Sequence, residues 1–384
     1  MKGLDRLRSV PWHALTGFEA VLGPALDEVL AGKPADRVLD RLLRKHRTAT
    51  ADQRTALAEA IFGVGLWRRR LGAGSGLERL RGLVDGHPSP ESFADRHSVP
   101  DWLASELQRA AGPQADAFAE ALNVPGPICL RANTLRISRD ALAQQLAAEG
   151  VKTRPGHFAR DCLVITSHRP NLYGLTAFNE ALFEVQDEGS QLLGELVGAR
   201  PGDDVIDLCA GAGGKTLQLA AHLDNRGRVH AVDSDLARLE RLRLRAARAG
   251  TSCISIHGRT LPDGLRAARI LVDAPCSELG ALRRGPDLRW RLDPSTFDAM
   301  PATQRALLET ALRHLAPGGR LVYATCTFRA EENEQLVFAF EAAHPQLRRV
   351  RPDVDAQLLG ADGFLRTWPH QHGADAFFAS VHTA

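Results

Sequence analysis

From about Thr176 to the end of the chain, short uninterrupted apolar runs alternate with helix-length stretches. They read DDVIDLCA, KTLQLAAHL, GRVHAVD, DLARLERLRLRAARAG, CISIHG, RILVDAPC, a long helix around Pro301 to Leu315, and GRLVYATC. A strand covered on both faces reads as a continuous apolar run, and helices inserted between successive strands make those strands parallel. The pattern predicts an α/β fold with a doubly wound, mostly parallel sheet. In such a sheet ligands bind at the carboxyl ends of the strands.

The chain upstream follows other rules. Between Trp12 and Leu122, apolar residues recur at three- and four-residue spacing in PALDEVLAGK, DRVLDRLLRKH and TADQRTALAEAIFGVGLWRRRL, which predicts an all-helical unit. Loops are expected at Gly72 to Gly76 and at Asp85 to Pro90, and a hinge at Asn123 to Pro127, where Pro and Gly cannot continue a helix. A short mixed segment follows: ICLRANTL as a strand, a helix opened by Ser138 as N-cap, and DCLVITS as a second strand. With 384 residues the chain is too long for one core, and the expected division is 1–125, 126–175 and 176–384.

Composition narrows the class. Hydrophobic residues make up 44% and charged residues 24%, with no apolar run near the ~20 residues that span a bilayer. MKGLDRLRSV lacks a secretory apolar stretch, so a cytoplasmic protein is expected. The six cysteines form no CxxC pair and no Cys/His ligand spacing, so neither disulfides nor a metal is expected. Net charge is only +2, and the basic residues are almost all arginine. The lysines are Lys2, Lys33, Lys45, Lys152 and Lys215, the last alone in a glycine-rich loop.

That loop, DLCAGAGGKT, runs from a buried strand directly into a helix. A phosphate-binding Walker loop needs glycine where this chain has Cys209, and a nicotinamide-binding GxGxxG loop is a poor match because Gly214 abuts Gly213. A methyltransferase-type loop remains, with Asp233 at the end of the next strand placed to accept from ribose hydroxyls. The bland alternative is a glycine turn followed by a satisfied surface aspartate.

Two cysteines, Cys276 in DAPC and Cys326 in YATC, fall at the carboxyl ends of predicted strands beside that crevice. Cys129, Cys162 and Cys253 read as ordinary buried thiols. A thiolate beside a methyl donor suits one reaction well. Carbon 5 of cytosine is too weak a nucleophile until a soft nucleophile adds at carbon 6. A base must later remove the carbon-5 proton so that the thiolate can leave, and Cys276 is placed to assist that release. Asp273 could hydrogen-bond the amidine edge of the base.

These residues resemble the RNA 5-methylcytosine methyltransferase family, and within it the bacterial RsmB-type enzymes that act on 16S ribosomal RNA. The matching stretches are DLCAGAGGKT, VDSD, ILVDAPCSELGALRRGPDLRWR and YATCTFRAEENE, with RANTLRIS, FEVQDEGSQ and WPHQHGADAFFA. The resemblance implies a Rossmann-like methyltransferase domain using S-adenosylmethionine, preceded by a NusB-like helical RNA-binding domain and a small α/β RNA-binding segment. It implies Cys326 as nucleophile, Cys276 as the releasing cysteine and Asp273 beside the base. Cofactor contacts carry over to Cys209, Ala210, Gly211, Ala212, Gly213, Gly214, Lys215, Asp233 and Asp273.

The chain also departs from the family. Ala212 replaces a usual proline, and Glu278 replaces a usual glycine after Ser277. The acidic residue expected after the third strand is missing around Gly258 and Arg259, leaving Asp263 or backbone to recognise adenine.

RNA contacts are expected from Arg283, Arg284, Arg289, Arg291 and Trp290, an arginine and aromatic cluster at the rim of the site. A second patch is Arg68 to Arg70, and a third is Arg131 with Asn133. The helix carrying Arg238, Arg241, Arg243, Arg245 and Arg248 reads as solvated. The expected partner is RNA, 16S rRNA in the first place, and the protein is expected to be a monomer without metal or membrane. Alternatives are a tRNA cytosine methyltransferase and an inactive RNA-binding assembly factor with the same fold.

Overall fold

The computed structural model describes residues 3–86, 90–167 and 170–384. Met1, Lys2 and residues 87–89 of the loop expected at Asp85 to Pro90 lie outside the described residues. The chain divides into two compact units: Met1–Gly126 with Ala281–Thr296, and Pro127–Gly280 with Phe297–Ala384.

The first unit holds α1 (Glu19–Leu30), α2 (Ala35–Lys45), α3 (Ala51–Trp67), α4 (Gly76–Asp85), α5 (Phe93–His97), α6 (Asp101–Ala111) and α7 (Ala115–Leu122). Reciprocal capping boxes start α3, between Thr50 and Gln53, and α4, between Ser75 and Glu78. Leu22, Leu26, Leu57, Ile61 and Val64 form the centre of its core.

The second unit opens with β1 (Cys129–Ala132), α8 (Arg139–Ala148), β2 (Thr153–Pro155), β3 (Cys162–Ile165), α9 (Thr176–Asn179) and β4 (Phe183–Val185). These strands make an antiparallel sheet of order β2-β3-β1-β4. Ser138 caps α8 by accepting from the Ala141 amide. The segment expected at 126–175 falls, from Pro127 on, within the second unit. Its sheet is completed by β4, and Glu184 of that strand pairs with Arg245 at 2.6 Å and Arg248 at 2.5 Å.

The remaining elements are α10 (Glu188–Leu196), β5 (Asp204–Asp207), α11 (Gly214–His222), β6 (Arg228–Val232), α12 (Leu236–Ala249), β7 (Ile254–Gly258) and β8 (Ala267–Asp273). They continue with α13 (Met300–His314), β9 (Leu315–Thr325), α14 (Glu334–Ala343), β10 (Arg348–Arg349), β11 (Leu365–Arg366), α15 (Pro369–His372) and β12 (Phe378–Thr383). The large sheet runs β10-β12-β9-β8-β5-β6-β7, with β11 pairing β12. Strands β9, β8, β5, β6 and β7 are parallel, and β12 is antiparallel to β9.

Alternation along the strands feeds two cores. Val205, Leu271 and Val322 pack with Leu193 and Leu219 on one face, while Ile206, Ile270, Val272 and Tyr323 pack with Leu308 and Phe340 on the other. The chain leaves β5 toward β6 on one side and pairs β8 on the other, so the topological switch lies at the carboxyl end of β5. Among the described residues no helix is long and apolar enough to cross a membrane.

Candidate active site

The turn between β5 and α11 depends on backbone that side chains resist. Gly211 has φ 54° and Gly213 has φ 92°. A Cβ on Gly213 would also meet Leu242 Cδ1 at 2.3 Å, so this glycine lets α12 close on the loop. The turn is tied down from both sides. Arg245 donates to Ala212 O at 2.6 Å, and Asp233 accepts from Gly211 N and Asp235 N, each at 2.8 Å.

A cavity of about 480 Å³ opens at this turn, within the second unit. Its walls include Cys209, Ala210, Gly211, Ala212, Gly214, Lys215, Asp233, Asp273, Cys276 and Cys326. Nearly every residue predicted for the cofactor and the chemistry is therefore brought to one space. Gly213 is the exception, since it shapes the turn without forming a wall. Cys129, Cys162 and Cys253 are buried, at 3%, 0% and 8% exposure, in line with a packing role.

Lys215 donates to Asp273 Oδ2 at 2.6 Å. Burial alone would lower the Lys215 pKa, but the Asp273 carboxylate more than offsets it, so the pKa is raised and the ammonium is secure. Asp207, under the same turn, is 1% exposed and accepts from Thr216 Oγ1 at 2.8 Å. Burial pushes its pKa up to about 7.

The Cys276 and Cys326 sulfurs are 3.4 Å apart. The contact with Cys276, then burial, then Asp273 and Glu278 raise the Cys326 thiol well above its ordinary range. Neutral Cys326 is thus the resting form, and positive charge nearby favours its thiolate. Glu278 adopts φ +56°, the left-handed region that a glycine occupies freely, and it stands on the cavity wall.

The loop carrying Cys276 is anchored by residues that sequence reasoning did not single out. Glu332 is fully buried and accepts from Ser277 N at 3.0 Å, Ser277 Oγ at 2.5 Å and Gln304 Nε2 at 2.9 Å. Gln304 also donates to Pro275 O, and Asn333 bridges Thr325 Oγ1 and Thr327 O around Cys326. The signal was present in the acidic run EENE. Only packing tells which of its members is buried.

Ser190, Arg238, Arg259, Thr303 and Leu307 also line the cavity without having been predicted to do so. Asp263, a candidate for adenine recognition, is not on its wall. Among the described residues no group of three or more His, Cys, Asp or Glu could hold a metal ion.

The predicted RNA contacts fare differently. Arg131 is 3% exposed and donates to Gly214 O at 2.7 Å and to Gln186 Oε1, so it braces the start of α11. Burial lowers its pKa to about 10. Asn133 is buried and donates to Ala181 O and Ala249 O, both at 2.9 Å. Neither presents its polar atoms to an external strand, which corrects the expectation.

In the first unit, Arg289 is 1% exposed and donates to Asn123 Oδ1 at 2.6 Å and Leu122 O at 3.2 Å. Arg283 is buried and Trp290 half-buried, with the Arg68 guanidinium 4.9 Å from the Trp290 ring. Arg69 pairs with Asp95 and Asp101, and Arg70 donates to Arg96 O. The two predicted patches are in large part internal packing of the helical unit; Arg284 and Arg291 are exposed. On α12, Arg241 and Arg243 are exposed as expected, whereas Arg245 and Arg248 hold Glu184.

Comparison with known proteins adds to this geometry. Residues 196–382 match the family model described as 16S rRNA methyltransferase RsmB/F. Residues 99–171 match the ferredoxin-like domain of the RsmF/B-like methyltransferases. The chain is 33% identical over 348 residues to ribosomal RNA small subunit methyltransferase B of Citrobacter koseri, covering 84% of this chain and 76% of that protein. It is 31% identical over 299 residues to the probable ribosomal RNA small subunit methyltransferase B of Synechocystis, covering 75% of this chain and 67% of that protein. The match thus spans about two thirds of the length of the Synechocystis relative. In fold it is similar to NSun6 from Pyrococcus horikoshii with SFG, at 23% identity and a TM-score of 0.68 over 74% of this chain and 98% of that one.

Proposed function

The chain belongs to the RsmB/F family of 16S rRNA methyltransferases, and from that premise we propose that it methylates carbon 5 of a cytosine in 16S rRNA through a bond between Cys326 and carbon 6. One observation carries the reading: the Cys326 sulfur, the Lys215–Asp273 pair and the glycine turn with Asp233 all face one cavity.

The cofactor is S-adenosylmethionine, which when bound supplies the methyl group as part of a sulfonium cation. The residues present fit it. Gly211 and Gly214 leave open space where a Cβ would stand, and Asp233 and Asp273 give the walls carboxylates that suit a cationic ligand. Asp233 offers acceptors for ribose hydroxyls.

The chain's own residues divide the remaining work. Lys215 holds a positive charge near Cys326, which favours the thiolate that adds at carbon 6. Asp273, oriented by Lys215, hydrogen-bonds the cytosine edge. After methylation the carbon-5 proton passes to a base in the cavity, such as a water molecule, and the electron pair it leaves closes the ring double bond. The carbon–sulfur bond then breaks to return the Cys326 thiolate. Cys276, in contact with Cys326, assists this release.

Bisulfite sequencing of RNA from cells with and without the gene tests the proposal. A cytosine in 16S rRNA should lose its protection in the deletion strain and regain it with the wild-type gene but not with Cys326→Ala. Lost protection in tRNA instead would move the substrate to tRNA. A second reading, an inactive RNA-binding factor, draws on Glu278 and on Arg259 where an acidic residue is expected. Calorimetry with S-adenosylmethionine giving no heat would favour it.

A further inference from the structure

We propose that Arg259 makes this chain read its cofactor's base by the ring face instead of the 6-amino group, so that the site tolerates a 6-oxo purine. The inference rests on the methyltransferase reading above and concerns the cavity end beside β6 and β7. That end is lined by Val232, Asp233, Ser234, Arg238 and Arg259.

The argument turns on donors and acceptors. The 6-amino group of adenine is a donor and is selected by an acceptor, such as a carboxylate. Among the described residues the carboxylate on the wall at this end is Asp233, whose oxygens accept from Gly211 N and Asp235 N and whose remaining lone pairs are given to the ribose in the reading above. Asp263 does not reach the wall.

Arg259 Nε donates to Ser234 O at 3.3 Å, which ties this side chain across the carboxyl ends of β6 and β7. A guanidinium has only donors, so it cannot pair with an amino group. Its flat cation instead suits the face of an aromatic ring, and its remaining donors suit an acceptor at position 6 as well as ring nitrogens. A carbonyl oxygen in place of the amino group therefore gives this wall a new acceptor, which offsets the change of N1 from acceptor to donor in the 6-oxo ring.

The test is calorimetry on the full chain with S-adenosylhomocysteine and S-inosylhomocysteine, which differ in the base alone. Binding of the two within about fivefold of each other supports the proposal, because a site that pairs with the amino group discriminates more strongly. Preference for the adenosyl compound beyond that overturns it. Arg259→Asp puts an acceptor on the wall and should shift the ratio toward the adenosyl compound by about tenfold or more. An unchanged ratio in this exposed variant would show that Arg259 does not face the base, also overturning the proposal. If neither compound binds the wild-type chain, the methyltransferase reading itself fails, an outcome distinct from binding with strong discrimination.

Discussion

The sulfurs of Cys276 and Cys326 stand 3.4 Å apart at the carboxyl ends of neighbouring parallel strands β8 and β9, on the wall of the cavity formed by the glycine turn. In the proposed cycle the two thiols take different parts. Cys326→Ala should lower methylation by about a thousandfold or more, since it removes the proposed nucleophile. Cys276→Ala should accumulate an RNA adduct that survives a denaturing gel. Free turnover by the Cys326 variant would reverse the assignment.

The raised Cys326 pKa has a direct readout. Without cofactor, alkylation of Cys326 by iodoacetamide should rise about tenfold per pH unit between roughly pH 7 and 9, because only the thiolate reacts. Cys276 is the first cause of the shift, so Cys276→Ala should react faster at any one pH in that range. Mass spectrometry of the modified peptide gives both rates, and a pH-independent rate would contradict the burial argument.

Asp207 links stability to pH in the opposite sense to a paired carboxylate. Its pKa is about 7 in the fold against an ordinary value of 3.8, so the folded chain keeps a proton there that the unfolded chain has lost. Its contribution is full below the ordinary value and declines as pH rises toward 7. Buried histidines such as His222, lowered to about 4, act the other way. The difference between wild type and Asp207→Asn isolates the carboxyl. In urea titrations the wild type should lose stability relative to the variant from pH 4 to 7, and a constant difference would refute it.

The Lys215–Asp273 pair is largely shielded, with side-chain exposures of 11% and 29%. Lys215→Met should cost about 2 kcal/mol by leaving Asp273 without its cation. Adding Asp273→Asn should recover part of that loss while activity stays absent. Additive losses in the double-variant cycle would mean that the two charges do not act together.

Arg289 separates a structural arginine from an RNA contact. Arg289→Met should destabilise the chain by about 3 kcal/mol, since Asn123 and the Leu122 carbonyl lose a charged buried donor. Calorimetric unfolding measures this. Unaltered unfolding with weaker, salt-dependent RNA affinity would restore the rim role predicted from the sequence.

Local order settled a good deal. The apolar runs around Val205, Val229 and Leu271 could only be buried parallel strands once helices separated them, and Gly211 and Gly213 marked the turn because few other residues accept its backbone. With strands and turn in place, Asp233, Asp273, Cys276 and Cys326 had to fall near one crevice, since the carboxyl ends of parallel strands share an edge. Burial of charge was a matter for tertiary structure alone. Arg131, Arg289 and Glu332 read as polar in any window of sequence. Each is buried because distant carbonyls, amides or carboxylates satisfy it, as Glu332 is by Ser277 and Gln304. The fate of Ala281–Thr296, which joins the helical unit although its neighbours on both sides do not, has the same origin: periodicity is written in adjacent residues, whereas a buried charge is stable only where the folded chain supplies its partners.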